Sequence, residues 1–270
     1  MKRIFACLLF ILIFSTETVF AQTSGGGVFL KRHTFEVESY PSYRIYVEPG
    51  VMREEGFMMN LGGSYAYHNR IMAKAEGIIA GGWVDYSNSG NIDHIPDVML
   101  EFRGLAGYDF FFFRRSLLVT PFIGLGYRYL NDNMSGKIST TNFSGYDRES
   151  NYLYSPIGAA FTIYLKNNWL LDGTGEYDYF WWGKQISHLS NVSSANGDLD
   201  NRQKKGYGLR GTLLLAKKID RFVIEFGPFV RYWKINQSEE AEVTLNGRVA
   251  VGIEPKNEST EFGIKVGLKF

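Results

Sequence analysis

The chain is poor in cysteine, proline and histidine: of 270 residues, one is Cys, 7 are Pro and 4 are His. The single thiol, Cys7, lies close to the amino terminus, so neither a disulfide framework nor a thiolate metal centre can be built from it. An excess of one charge is missing too. With 29 basic and 28 acidic residues the net charge is +1, which leaves no basic surplus for gripping a nucleic-acid backbone. No apolar run reaches the roughly 20 residues of a membrane-crossing helix, and no helical spacing of apolar residues lasts beyond two turns. What is plentiful is glycine, at 30, and aromatic residues, with 21 Phe, 17 Tyr and 5 Trp. That composition predicts one large all-β unit.

Lys2 and Arg3, the apolar stretch from Ile4 to Phe14 and Val19-Phe20-Ala21 ahead of Gln22 have the layout of a secretory signal peptide. Residues 1–21 are therefore expected to be cleaved off, residues 22–31 with Gly25-Gly26-Gly27 to form a flexible lead-in, and residues 32–270 to form the folded unit. Removing Lys2, Arg3 and Glu17 from 29 basic and 28 acidic residues leaves 27 of each.

Ten segments of alternating character follow, at about 32–48, 56–68, 71–86, 97–110, 116–130, 151–165, 168–182, 205–217, 221–236 and 258–270. The connections alternate between short ones, near Asn69, Phe112 to Ser116, Lys166 to Asn168 and Ile219, and longer polar ones at 49–55, 87–96, 131–150, 183–204 and 237–257. In the first segment Phe35, Val37, Tyr43 and Ile45 share one face, and Glu36, Glu38 and Arg44 the other. Val119, Ile123 and Leu125 oppose Thr120, Gly124 and Arg128 in the fifth, and the seventh and ninth behave alike. Period-two alternation of this kind makes one apolar and one polar face of a strand. Tyr43, Tyr46, Tyr65, Tyr67, Trp83, Tyr86, Tyr127, Tyr129, Tyr179, Trp181 and Trp182 fall near segment ends, where interfacial girdles belong.

The closing run Phe262, Ile264, Val266, Leu268, Phe270 alternates with Glu261, Gly263, Lys265, Gly267 and Lys269. It resembles the C-terminal strand signal of bacterial outer-membrane barrels. That resemblance implies a Gram-negative outer-membrane protein, with the membrane's lipids and the barrel-assembly machinery, which reads the strand ending at Phe270, as partners. The expected fold is all-β: a single closed antiparallel transmembrane β-barrel of ten strands, since an open edge in lipid would leave several kcal/mol per unpaired backbone group. An Arg or Lys facing lipid at mid-depth costs about 2 to 4 kcal/mol. The charged rows are therefore expected to line the lumen: Glu36, Glu38, Arg44, Glu76, Glu101, Arg103, Arg128, Asp172, Glu176, Asp178, Arg210, Glu225, Arg231 and Glu261, with Lys74, Asp109 and Lys265 beside them.

In length and strand number the chain also resembles the omptin family of outer-membrane proteases, in architecture rather than motif. That family sets an Asp pair on one side of the barrel mouth and an Asp-x-His pair on the other. Here Asp93-His94 and Asp97 are expected in the second external loop and His188 after the seventh strand, yet the residue two before His188 is Ile186, and no Asp-x-Asp precedes His94 at the matching place. For a lipid-modifying enzyme the best candidate is Ser187-His188 near Glu176. The run Asn196 to Asn201 offers alternating oxygens for a loose Ca²⁺ site but lacks a closing Glu. No residue is assigned to catalysis, to a cofactor or to a metal, and no nucleic acid is expected as partner. The expected role is a structural or interaction barrel whose external loops bind a ligand or support adhesion, against two rivals, a narrow solute channel and an outer-membrane enzyme.

Two short pieces, Glu48-Pro49-Gly50 and Glu254-Pro255, flank the first and last segments. If those strands are neighbours at closure, the two Glu-Pro steps are expected to meet at the external rim, since Pro removes a ladder donor.

Overall fold

The computed structural model describes residues 30–270, so the expected signal peptide at 1–21 and nearly all of the lead-in lie outside the described residues. In chain order the strands are β1 (His33–Glu48), β2 (Met52–Asn69), β3 (Ile71–Ser87), β4 (Ile92–Tyr108), β5 (Phe110–Phe112), β6 (Leu117–Asp132), β7 (Arg148–Tyr164), β8 (Trp169–Ser187), β9 (Leu199–Gln203), β10 (Gly206–Ile219), β11 (Phe222–Ile235), β12 (Ala241–Leu245), β13 (Arg248–Gly252) and β14 (Asn257–Lys269). No α-helix occurs among the described residues.

Ten of these strands form the barrel, in the order β1-β2-β3-β4-β6-β7-β8-β10-β11-β14, every neighbour antiparallel. β14 pairs with β1 from Glu36 opposite Lys269 to Val47 opposite Glu258, which closes the sheet on itself. The remaining strands are accessories. β5 continues the line of β4 beside β6, β9 pairs with the far end of β8 above the barrel, and β12 and β13 make a hairpin inside the last external connection.

The two faces follow the alternation. Phe57, Phe102, Leu125 and Ile264 are among the exposed residues of the wall, whereas Glu38, Arg44, Glu101 and Arg128 are buried within it. An apolar exterior around an ionised interior is what a hydrocarbon solvent demands, because the apolar side chains meet lipid and the charges are kept out of it, inside the lumen.

Two sequence expectations shift, and two bulges reset the alternation. β4 begins at Ile92, so Asp93, His94 and Asp97 belong to a strand and not to a loop. The pairing of β3 with β4 slips between Val84 and Tyr86, and His94, at φ 55°, lies in the bulge and gives its backbone N–H to Asp85. A second bulge puts Trp181 out of register between β7 and β8, since Leu153 faces Trp182 while Tyr154 faces Phe180. One extra residue flips the parity of a strand, so the adjacent Trp181 and Trp182 both face outward. Tyr46 and Tyr86 leave the girdle: Tyr46 turns inward to donate to Glu48, and Tyr86 packs against the inner apolar cluster.

Candidate functional site

Two constructions stand out, a charge network that fills the lumen and a ring of loops at the external end.

The lumen network starts near the periplasmic end. Lys74 pairs with Glu76 at 2.6 Å, Lys265 with Glu38, and Lys269 with both Asp172 (3.1 Å) and Glu225 (2.5 Å). Glu36 lies between Lys74 and Lys265, at 3.8 and 3.9 Å. At mid-depth Arg103 holds Glu76 and makes a fork of two 2.8 Å bonds to Glu176. Arg210 makes a second fork to Glu101, at 2.7 and 2.6 Å, and also reaches Asp178 and Glu176. Forked guanidinium-carboxylate pairs are the strongest and most directional of charged contacts. Tyr154 donates to Glu101 at 2.7 Å. It stands where it does because Gly126 lies opposite: a Cβ there would come within 2.2 Å of the Tyr154 ring.

Arg231 and Glu261 pair at 3.3 Å, with Tyr40 bonded to Arg231 and Ser42 donating to Glu261. Arg128 is buried with its guanidinium 5.7 Å from the centre of the Trp233 ring. Arg44 binds Asp97 at 2.7 Å and Asp132 at 3.2 Å. The structure thus places all fourteen expected lumen charges inside the wall and links most of them by ion pairs. Asp109 also faces inward, where it accepts from Thr120 and shares a 2.9 Å bond with His68.

Apolar plugs share this interior. Tyr152, Tyr154, Phe180, Trp233 and Ile235 form one buried cluster, and Met58, Val84, Ile95, Met99 and Met134 are in another. Charge alternation on single strands carries no trace of them, because their inward direction depends on register and bulges fixed by distant partners.

At the external end every loop is tied to the next. Asn88 donates to the carbonyl of Val51, joining the second loop to the first. Thr140 N–H donates to Asn91 O, Thr141 to Ser89 O and Lys137 to Asp93 O, joining the third loop to the second. Asp147 N–H donates to the Asn191 side chain and His188 N–H to Asp147 O, joining the fourth to the third. Gly197 N–H donates to Thr244 O and Asn246 N–H to Asn196, joining the fifth to the fourth. The seam between fifth and first closes on one residue: Arg148 binds Glu48 at 2.7 Å and Glu254 at 3.2 Å. The two Glu-Pro steps do meet, through an arginine from β7 that the sequence left unassigned.

Two titrating groups belong to the ring. Burial pushes the Glu254 carboxyl up to about 7, a rise that Arg148 opposes and Glu48 reinforces. His188 shares a 2.9 Å bond with Asp198 and a 3.1 Å bond with Glu149. Burial lowers its pKa, but the two carboxylates outweigh that and hold it above the usual histidine value. Glu176 sits deep in the lumen with Arg103 and Arg210, whereas both ring nitrogens of His188 are taken by Asp198 and Glu149 at the external end, so His188 and Glu176 are not paired. The oxygens of Asn196 and Asp198 are already engaged, by Asn246, His188 and Ser190. Among the described residues no group of three or more His, Cys, Asp or Glu is placed to hold a metal ion.

The family model described as "Outer membrane protein OpcA" matches residues 106–270, more than half of the chain. The chain belongs to the OpcA family. No curated protein matches it in sequence. Among solved structures, the outer membrane protease OmpT of Escherichia coli is similar at 10% identity and a TM-score of 0.59, over 88% of this chain and 96% of that one. At such identity the likeness shows the barrel fold alone. The translocator domain of the autotransporter NalP from Neisseria meningitidis is similar over 89% of this chain and 88% of its own, at 10% identity and a TM-score of 0.44. The toluene transporter TodX of Pseudomonas putida is similar over 88% and 89%, at 9% identity and 0.36. This member of the OpcA family is an outer-membrane β-barrel.

Proposed function

We propose that the protein is a closed interaction barrel: a plugged, rigid stem that presents its linked external loops as a surface for binding a ligand or for adhesion. The closed ring of loop-to-loop bonds carries this reading. Loops of Ser, Asn and Gly that served only to turn the chain need no mutual bonds, and ordering them costs roughly 1 to 2 kcal/mol of backbone entropy per residue. Ordered loops reduce the cost of binding, because the surface exists before the ligand arrives. On the loops Ile138, Phe143, Val192 and Val249 are exposed, and apolar groups displayed outside the membrane wall suit contact with a partner surface. As for biogenesis, Phe270 would be the residue that the assembly machinery reads, its N–H bonded to Phe35 O at 2.8 Å.

Conductance separates this reading from the channel. Refolded protein in a planar bilayer should give no steady ohmic steps, since forked ion pairs and two apolar clusters occupy the lumen. Steps of constant size over several solutes would overturn the plugged stem. Immobilised on beads, the protein should retain a surface ligand that a Phe143→Ser, Val249→Ser double variant releases while its heat stability is unchanged. Equal retention by the variant would remove the loop crests from the function.

A further inference from the structure

The outer wall carries a basic notch that neither the lumen nor the loop ring uses. It lies where β10, β11 and β14 leave the membrane. Register sets its rows. Leu209 faces Tyr232, which faces Thr260, and one step higher Tyr207 faces Lys234, which faces Glu258. A further step up, Lys205 O accepts from Asn236 N–H, and continuing the pairing of Ile235 with Asn257 by one residue brings Asn236 beside Lys256. Lys205, Asn236 and Lys256 thus form one outward row just above an aromatic one. Together with Lys204, Ser238 and Glu239 they line a cavity of about 530 Å³.

The charges of the notch do not cancel. Lys234 is taken by Glu258 at 2.9 Å, and Lys204 by Glu239 at 2.6 Å. Among the described residues neither Lys205 nor Lys256 has a salt-bridge partner, although Glu258 lies within electrostatic reach of Lys256. The floor is fixed: Ser238, buried, accepts from Glu254 N–H and donates to Glu239 O, so its hydroxyl braces the notch from below. Beneath it Tyr177 stacks on Tyr207 at 6.0 Å between ring centres, and Tyr207 meets Tyr232 at 6.1 Å. Stacked tyrosines on a barrel exterior mark the depth of lipid headgroups.

We propose that this notch is a binding site for a phosphorylated headgroup of the outer-leaflet lipid, with Lys205 and Lys256 on the phosphate, Asn236 between them and the three tyrosines against the sugar or upper acyl chain. Height above the girdle selects the lipid over a soluble anion: the row lies where a headgroup phosphate must be when its chains lie along the wall. Lys suits this task as a compact charge that needs no fixed fork geometry. The site is separate from the apolar loop crests, because Lys205, Asn236 and Lys256 lie on the outward row of the wall and none of Ile138, Phe143, Val192 and Val249 belongs to the notch.

Native mass spectrometry of the refolded protein in detergent, titrated with diphosphoryl lipid A, tests it. Each lysine near an anionic headgroup is worth about 1 kcal/mol, so a Lys205→Ala, Lys256→Ala double variant should bind about thirtyfold more weakly. Lys204→Ala, which removes a lysine already paired with Glu239, should stay within about twofold of the wild type. The same lipid stripped of both phosphates should bind the wild type as weakly as the intact lipid binds the double variant. Retention by the double variant within twofold of the wild type, equal binding of the stripped lipid, or occupancy by inorganic phosphate with no retained lipid would each overturn the assignment. A loss for Lys204→Ala as large as for the double variant would do the same, since it would reduce the effect to net charge.

Discussion

The lumen and the loop ring are both closed networks, but they close by different means. In the lumen the partners are full charges, joined in forks and shielded from water: the side chains of Glu101 and Asp178 are 0% exposed and that of Arg210 only 8%. In the ring most bonds run between backbone and neutral side chains, and its charged members are wetter, with His188 at 26% and Asp198 at 38%. Removing one partner from a buried pair leaves an uncompensated charge, whereas an exposed pair is replaced by water. The barrel's stability should therefore depend on a few lumen residues. The order of its external face should depend on many small contributions, none decisive alone.

Arg210→Ala should break this contrast most severely. It leaves Glu101 and Asp178 buried without their guanidinium, and the expected cost is about 3 to 5 kcal/mol. Urea unfolding of the refolded protein in lipid vesicles measures it. A loss below about 1 kcal/mol would put the lumen network in the same class as surface pairs. Leu125→Arg, on the outward face at 61% exposure, tests the wall from the other side. A cation facing hydrocarbon near mid-strand should cost about 2 to 4 kcal/mol in the same titration. Tolerance of the arginine would mean that this face does not meet lipid.

How much of this was legible depended on how local the signal was. Glu36, Glu38 and Arg44 betrayed their direction because Phe35, Val37 and Tyr43 alternate with them on one strand, and no distant residue is needed for that inference. The same parity, two residues beyond Arg44, turns Tyr46 inward and away from the girdle; what was not legible is the company it keeps there, because Arg148 and Glu254 lie 102 and 208 residues away. That the adjacent Trp181 and Trp182 can both join the girdle is explained only by the bulge opposite Leu153 and Tyr154, which strict alternation does not reveal. The loop ring was visible only as a surplus of Ser, Thr and Asn. Which amide meets which carbonyl is decided by the barrel's circumference, and Arg148, which closes the ring, sits at a position that local pattern assigned to a loop.

Within the ring, Asn88→Ala removes the side-chain tie from the second loop to the carbonyl of Val51 in the first. One exposed hydrogen bond is worth about 0.5 to 1.5 kcal/mol, and here the change should be local. Amide exchange at 49–51 should quicken while global unfolding moves by less than that amount. A matching fall in global stability would mean that loop order and barrel stability are coupled, against the division drawn between the two networks.

The smallest effect expected is a response to pH. His188 has a folded pKa raised above its ordinary 6.5. Its ties to Asp198 and Glu149 therefore contribute fully below that ordinary value and fade as pH rises through the raised one. Glu254, held near 7 and so above its ordinary 4.5, acts in the same direction: the folded ring binds its proton more tightly, and raising pH from 4.5 to 7 weakens the seam at Arg148. Asp198, lowered from 3.8, opposes them only in strong acid, as pH falls through its depressed value. The ring should thus be tightest in mild acid and loosen toward alkaline pH. Protease nicking of the 188–198 segment should accelerate as pH climbs above about 6.5, while His188→Gln is nicked at a nearly constant, faster rate across that range. A wild-type profile that is flat, or that rises toward acid, would show that the imidazole does not hold the loop.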